Sequence, residues 1–348
     1  AKLPILIGND SVHGQNNLLN ATIFPHHIGQ GCLRDNGKPD VTLVRELASI
    51  AAKESYACGI NWIFSPCVAV PHDLRWGRTY EGFSEDAEIV GVLGGAEVEG
   101  LQGSGVPMAA CLKHFVADGG TSYGTGTWLF FWSGAPTSVC DHGDSLCDEA
   151  SLREAHLKAY LPGLAAGCLT VMASYSSWRG LKMHQHRYLL TDVLKGELGF
   201  EGLVVSDYNA INHIHNAGGG KGRGNSTFED TVADCLMCGI DMVMTAGGLI
   251  GLAGDLSYER QIECVLRALE NGKVTMERLD DAVKRILRVK MSMGLIPRAN
   301  GKVYPPPPLD SVKDDLERCV GCAAHRRIAR RAVSGSLAGR RPSARSMR

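Results

Sequence analysis

Short apolar runs that stop at a polar or charged residue recur along the chain, with helix-patterned segments between them. Leu3–Gly8 ends in Asn9-Asp10, Asn61–Cys67 leads to Arg78, and Val106–Leu112 ends in Lys113-His114. Leu169–Ala173 ends in Ser174-Tyr175, Leu203–Val205 in Ser206-Asp207, and Ile240–Met244 is a sixth run. Between them, Asp40 precedes a segment in which Leu43, Val44, Leu47 and Ala51 share one helical face. Ser84–Leu101 reads as a helix with Ser84 at its cap and Glu85 and Asp86 in the first turn, where the helix dipole favours acids. Glu149–Ala166, Tyr188–Leu198, Tyr258–Asn271 and Met276–Met293 also read as helices. Ser226 and Glu229 have the spacing of a capping box for a helix running to Cys238. Strands alternating with helices predict βαβ units around a parallel sheet. The fold class is therefore α/β. Six or seven units in about 300 residues suit a (β/α)8 barrel of the TIM type better than an open sheet. The chain opens at Ala1-Lys2-Leu3-Pro4, straight into an apolar run and without a signal peptide. The expectation is a barrel incomplete at its N-terminus, with missing upstream residues supplying the deficit.

The stretch Gly202–Ala210, GLVVSDYNA, is the most informative single segment. Gly202 and the β-branched pair Val204-Val205 favour a buried strand that stops at Asp207. A carboxylate there stands at the C-terminal mouth of a parallel sheet, where barrel enzymes keep their chemistry. The plainer alternative makes Asp207 an N-cap for a helix over Asn209–Asn216. The other strand ends have plain readings too: Asp10 as a turn residue, Arg78 as a surface charge, His114 as a satisfied core histidine. Convergence of several strand ends on polar and charged groups is harder to attribute to packing.

Composition narrows the field. The 348 residues are 44% hydrophobic and include 42 glycines, enough for a globular core. The net charge of −1 indicates neither nucleic acid nor an anionic membrane as a partner of the whole chain. No apolar run approaches the roughly 18 residues of a membrane span. Residues 297–317 read as a Pro-rich linker, with Pro305–Pro308 within it. Residues 318–348 carry nine arginines and no acid, and their Ser/Gly/Pro/Arg composition predicts a disordered basic tail. Most of the twelve cysteines fall in strand or helix patterns as buried thiols, whereas Cys140 and Cys147 lie in a loop and can pair in an oxidising compartment. Cys319-x-x-Cys322 with His325 lacks a fourth zinc ligand nearby. Gly218–Gly224, GGGKGRG, lacks the Gly-Lys-Ser/Thr of a phosphate-binding loop and reads as a flexible loop. No metal and no cofactor is expected. Thr121–Asp148 reads as an insertion at the mouth.

Several of these segments carry a resemblance. Val193-Leu194-Lys195, Glu197 and Leu198–Glu201, followed by the strand and its Ser206-Asp207, resemble the active-site signature of glycoside hydrolase family 3. GNDSVHGQNN around Asp10, RWGRTYE around Arg78, KHFVADGGT around Lys113 and VMASYSSW around Met172 are similar to that family one by one. The similarity runs from Leu3 to Leu295 and is closest to plant-type exo-β-glucan glucohydrolases and β-glucosidases. It implies a barrel domain over residues 1–296 and a secreted or extracellular protein. It implies a retaining mechanism on terminal non-reducing β-D-glucosyl residues of β-glucans or β-glucosides, with Asp207 as nucleophile. Asp10, Arg78, Lys113 and His114 would hold the sugar hydroxyls, Met172 and Tyr175 would line the same subsite, and Tyr208 would clamp the next sugar. The family's proton donor in its two-domain members is a Glu on a second α/β domain. HRRIARRA, residues 325–332, resembles only the opening of that domain. The expectation is a crippled or truncated hydrolase that lacks its acid/base. An acid in the family's glucanases falls near Thr127 here, and an arginine falls at His213. Two other classes stay open: a non-catalytic β-glucan-binding or scaffold barrel, and a Schiff-base lyase using Lys113.

Overall fold

The computed structural model describes residues 3–126, 139–216, 226–245, 257–296 and 323–339. Its centre is an arc of parallel strands that follow one another in chain order. Gly8–Asn9 pairs with Trp62–Ile63. Bridges Trp62↔Ala109 and Cys67↔Lys113 carry the arc to Cys111–Phe115. That strand pairs with Thr170–Ala173, which pairs with Leu203–Val205, and a bridge from Val205 reaches Met242. Among the described residues no pairing joins the two ends of the arc. Helices fill the crossovers: Val41–Ala57, Ala87–Gln102, a helical stretch from Glu149 to Ala165, Tyr188–Glu197, and Phe228–Cys238. The longer strands are buried throughout, Lys113 and His114 included, as a sheet covered on both faces requires.

Local chemistry sets the helix starts. Asp40 accepts the Leu43 amide at 2.9 Å and caps Val41–Ala57. The next helix starts later than the sequence led us to expect: Asp86, not Ser84, caps Ala87–Gln102, and Ser84 Oγ instead accepts the Asp86 amide. The predicted capping box slips by one residue, because Thr227 and Asp230 satisfy each other's amides and the helix starts at Phe228. The predicted Glu149–Ala166 helix is wound in several ways, with a π segment at Leu152–His156 and a 3-10 segment at Leu157–Tyr160. Tyr188–Glu197 is π-wound throughout. Helices Val41–Ala57 and Ala87–Gln102 approach closely at Gly100, where a Cβ would stand 2.3 Å from the Arg45 carbonyl oxygen.

Three expectations are corrected. The Leu3–Gly8 run contributes only Gly8–Asn9 to a strand, and Leu3, Ile5 and Ile7 are exposed, with the Asn61 side chain bonding Ile7 N at 2.8 Å. Ile240–Met244 is reduced to one bridge at Met242. The tail is not disordered throughout, since Ala323–Gly339 is a helix. Its apolar positions Ile328, Ala329 and Ala332 fall on one face and join the core, and His325 Nδ1 lies 2.8 Å from Glu54 Oε1. Neither Cys140 nor Cys147 is in a disulfide. The 297–317 linker, Gly218–Gly224, Cys319 and Cys322 lie outside the described residues.

The N-terminal end of Leu203–Val205 is pinned by charge. Buried Asp241 accepts the Val204 amide at 2.8 Å and Lys195 Nζ at 2.7 Å, and also bonds Arg278. Arg285 donates to the Phe200 and Gly202 carbonyls at 2.7 and 3.0 Å. These bonds fix the strand along its axis, and with it the position of Asp207.

Candidate active site

Seven of the eight residues singled out in the sequence line one cavity at the C-terminal ends of the strands: Asp10, Arg78, Lys113, His114, Met172, Asp207 and Tyr208. The cavity has a volume of about 410 Å³, within the usual range for small-molecule sites. The eighth, Tyr175, stands behind the wall. Its hydroxyl donates to the Tyr208 carbonyl, and His142 stacks on its ring at 4.3 Å. His213 also packs there, 5.6 Å from the Tyr175 ring, rather than in the cavity lining. Thr127 lies outside the described residues.

The polar groups hold one another in a defined order. Lys113 is buried and its Nζ bonds Asp10 Oδ1 at 2.9 Å, while the Asp10 side chain stays 69% exposed. Burial pulls the Lys113 pKa down, but Asp10 and Glu81 outweigh it and the net shift is upward. Lys113 is therefore a cation rather than a free amine, which argues against a Schiff-base role. Glu81 grips Arg78 through two bonds of 2.7 and 2.8 Å. Arg78 in turn donates to His114 Nε2 at 3.0 Å. Arginine can only donate, so Nε2 is the acceptor and Nδ1 carries the proton, which it gives to Asp118 Oδ2 at 2.8 Å. Burial, reinforced by Arg78 and Lys113, drives the His114 pKa far down and keeps the ring neutral.

Asp207 terminates this series. Its Oδ1 accepts the Tyr208 amide at 2.7 Å, and its Oδ2 lies 3.9 Å from His114 Nε2, beyond hydrogen-bond range. It does not cap the following helix, Ala210–Asn216, with a side-chain bond of its own. Burial raises its pKa to about 6 against the pull of Arg78, the Tyr208 amide and Lys113. At neutral pH the carboxylate is mostly ionised, weakly solvated and faces the cavity, the state a nucleophile needs.

Asp10 is the second carboxylate among the described lining residues. Burial raises its pKa, but the cations Lys113 and Arg78 more than offset that and the net shift is downward. It holds no proton to donate at neutral pH. Asp118, raised by burial to about 6, sits behind His114 and does not line the cavity. Cys67, His114 and Asp118 have ligand atoms within 4.8 Å of one another. Arg78 and Asp118 already occupy the two nitrogens of His114, and burial keeps the Cys67 thiol protonated, so these side chains are not set up as metal ligands.

Sequence reading missed several contributors. Asn9, Asn17, Phe64 and Met244 also line the cavity. Asn9 carried a signal, as the residue before Asp10 at a strand end. Glu81, which aims Arg78, and His184, which accepts the Asp207 amide at 3.0 Å, carried none.

Comparison with known proteins identifies the family. The family described as "Glycosyl hydrolase family 3 N terminal domain" matches residues 1–289. The chain is 32% identical over 308 residues to a lysosomal beta glucosidase of Dictyostelium discoideum, covering 84% of this chain and 33% of that protein. It is 31% identical to a periplasmic beta-glucosidase of Salmonella typhimurium, covering 84% and 34%. Among solved structures it matches an exo-1,3/1,4-beta-glucanase from a Pseudoalteromonas species at 34% identity and a TM-score of 0.75, covering 96% of this chain and 37% of that one. A beta-glucosidase from Listeria innocua, solved in complex with laminaribiose, matches at 27% identity and a TM-score of 0.76, covering 96% and 40%. The chain thus spans about a third of the length of these curated relatives. The match covers the arc, its helices and every residue lining the cavity, and the chain belongs to glycoside hydrolase family 3 through the N-terminal domain of that family.

Proposed function

We propose that this chain carries the nucleophile half of a retaining glycoside hydrolase acting on terminal non-reducing β-D-glucosyl residues of β-glucosides or β-glucans. The observation that carries the reading is Asp207, a buried strand-end carboxylate opening on a sugar-sized cavity walled by Asp10, Arg78, Lys113 and His114. The related structures solved with laminaribiose and glucose support a β-glucoside as the class of substrate. In this reading Asp207 attacks the anomeric carbon and the leaving oxygen departs with a proton. Arg78, Lys113 and Asp10 bond hydroxyls and hold the ring as positive charge grows on it. Met172 and Tyr208 supply apolar wall and platform, with Tyr175 fixing Tyr208 from behind. We take the arc to be part of a (β/α)8 barrel, with residues 1–296 as one domain.

A retaining mechanism needs a second group, roughly 5 Å from the nucleophile, to protonate the leaving oxygen. Neither Asp10 nor Asp118 fits that role. We therefore assign the donor to a second α/β domain over the cavity mouth. Without it, activated substrates glycosylate Asp207 while natural glucosides lose the general-acid contribution, commonly about 100- to 10,000-fold. The lack of a free proton donor among the described lining residues also supports a second reading, a barrel that binds β-glucan without cutting it.

Intact mass after incubation with 2-deoxy-2-fluoro-β-glucosyl fluoride separates the two. Fluoride leaves without a proton, so the test does not depend on the donor. A single-sugar adduct on the parent and none on Asp207→Asn is the expected result. No adduct on a folded parent that still binds glucose rejects the hydrolase reading in favour of the binding one.

A further inference from the structure

Four backbone amides, Ser206 to Asn209, follow Leu203–Val205 around the carboxylate, and that of Tyr208 bonds Asp207 Oδ1 at 2.7 Å. The Ser206 amide bonds the Met242 carbonyl at 2.9 Å, and the Asn209 amide bonds the Met244 carbonyl at 2.9 Å. The Asp207 amide has no such carbonyl. It donates instead to a side chain 23 residues away, His184 Nε2, at 3.0 Å. His184 sits on the short turn Met183–Gln185, is 0% exposed, and lies against the ring of Tyr175 at 6.3 Å.

We propose that His184 is a positioning residue that fixes the backbone of Asp207 by accepting its amide, and so aims the carboxylate into the cavity. The inference rests on Asp207 being the nucleophile. The donor in this bond is a backbone N–H, so Nε2 must be unprotonated and the ring's proton resides on Nδ1. A protonated ring would present a donor to a donor and push the Asp207 backbone away. The fold guards against that: burial, with Lys182 next, pushes the His184 pKa down to about 3 against the Ser174 main chain. The choice of residue type follows. An acidic acceptor at this position would put a second negative charge beside Asp207 and disfavour its ionised form. A neutral imidazole accepts the amide without a charge.

Two polar substitutions separate the two nitrogens. The amide group of Gln reaches the position of Nε2, and that of Asn only the position of Nδ1. His184→Asn should slow adduct formation by 2-deoxy-2-fluoro-β-glucosyl fluoride by roughly 10- to 100-fold, the scale of an ångström-sized misplacement. His184→Gln should recover most of that loss. Gluconolactone affinity, measured by calorimetry, should change by less than about threefold in both, since the hydroxyl-binding groups are untouched. That split between reactivity and binding is not expected from general loosening of the fold. A His184→Asn variant that reacts as fast as the parent overturns the inference, as do Asn and Gln variants slowed equally. A folded parent that forms no adduct overturns the nucleophile assignment and this inference with it, whereas a reacting parent isolates the role of His184.

Discussion

The two ends of the Leu203–Val205 strand are only a few residues apart and are built in opposite ways. At the N-terminal end, Asp241 is surrounded by Lys195, Arg278 and the Val204 amide, and Arg285 closes two carbonyls. The buried carboxylate there has counter-charges in direct contact. At the C-terminal end, Asp207 receives one backbone bond to its carboxylate, and His114 Nε2 stays 3.9 Å away. One end uses its ionic groups to hold the strand. The other keeps a carboxylate under-solvated and uncommitted, which is costly for stability and useful for reaction. Asp207 and Asp241, chemically identical side chains, thus take opposite roles through their neighbours alone.

The largest expected effect breaks the reactive end. Asp207→Asn should lower glycosylation by activated fluorides at least about 1,000-fold, read by intact mass. It should also stabilise the fold at neutral pH. The native pKa of Asp207 is raised from 3.8 to about 6, so the folded state favours the protonated form. The stabilisation from that preference is complete below pH about 4 and is lost as pH rises through about 6. The variant's advantage in denaturant midpoint should therefore be greatest above pH 7 and shrink as the pH falls. A variant that is less stable than the parent at pH 8 contradicts the picture of a strained carboxylate.

The next effect breaks the other end. Asp241→Ala should cost about 3–5 kcal/mol in a denaturant titration, because it removes the buried counter-charge that Lys195 and Arg278 share and the acceptor of the Val204 amide. Any variant molecules still folded should bind glucose as the parent does. A loss near zero would mean that the strand is held by packing alone.

A smaller effect sharpens the electrostatics. If Asp207 is the nucleophile, as proposed, adduct formation should rise with pH through about 6 and level off above 7, because only the ionised carboxylate attacks. Asp118 titrates in the same region, raised by burial to about 6. Asp118→Asn keeps an acceptor for His114 and should leave the acidic limb in place. If the limb disappears in that variant, Asp118 rather than Asp207 controls the rate. The smallest effect concerns Arg288 and Glu201, an exposed pair 4.0 Å apart near the N-terminal end. Glu201→Gln should change stability by less than about 0.5 kcal/mol, measured in the same titration.

The contrast also explains what the sequence revealed. Lys113, His114 and Asp207 were legible because each stands within two residues of the end of a short apolar run, towards the C-terminal end of a strand. Arg78 and Asp10 were legible for a related reason and through the local resemblance. Glu81 and His184 were not, since they act on other residues across 3 and 23 positions and leave no periodic trace. Tyr175 was expected in the cavity and lies behind it, because its neighbour Met172 already faces inward and its hydroxyl is used on the Tyr208 carbonyl. The capping-box slip from Ser226 to Thr227 shows the limit of spacing rules when two hydroxyl residues stand side by side. The helix at Ala323–Gly339 was hidden by composition: its arginines read as a disordered tail, while Ile328, Ala329 and Ala332 recur at helical spacing on the face that meets the core.

The chain-order pairing of the strands carries a consequence for how the molecule is made. Each strand finds its neighbour in the segment synthesised just before it, so a nascent chain can widen the sheet step by step as it leaves the ribosome. Asp10 emerges first, Arg78, Lys113 and His114 follow, and Asp207 comes after them, with only Tyr208 and Met244 of the described lining still to follow. In the proposed reading, translation thus delivers the groups that would hold a sugar before the carboxylate that would attack it.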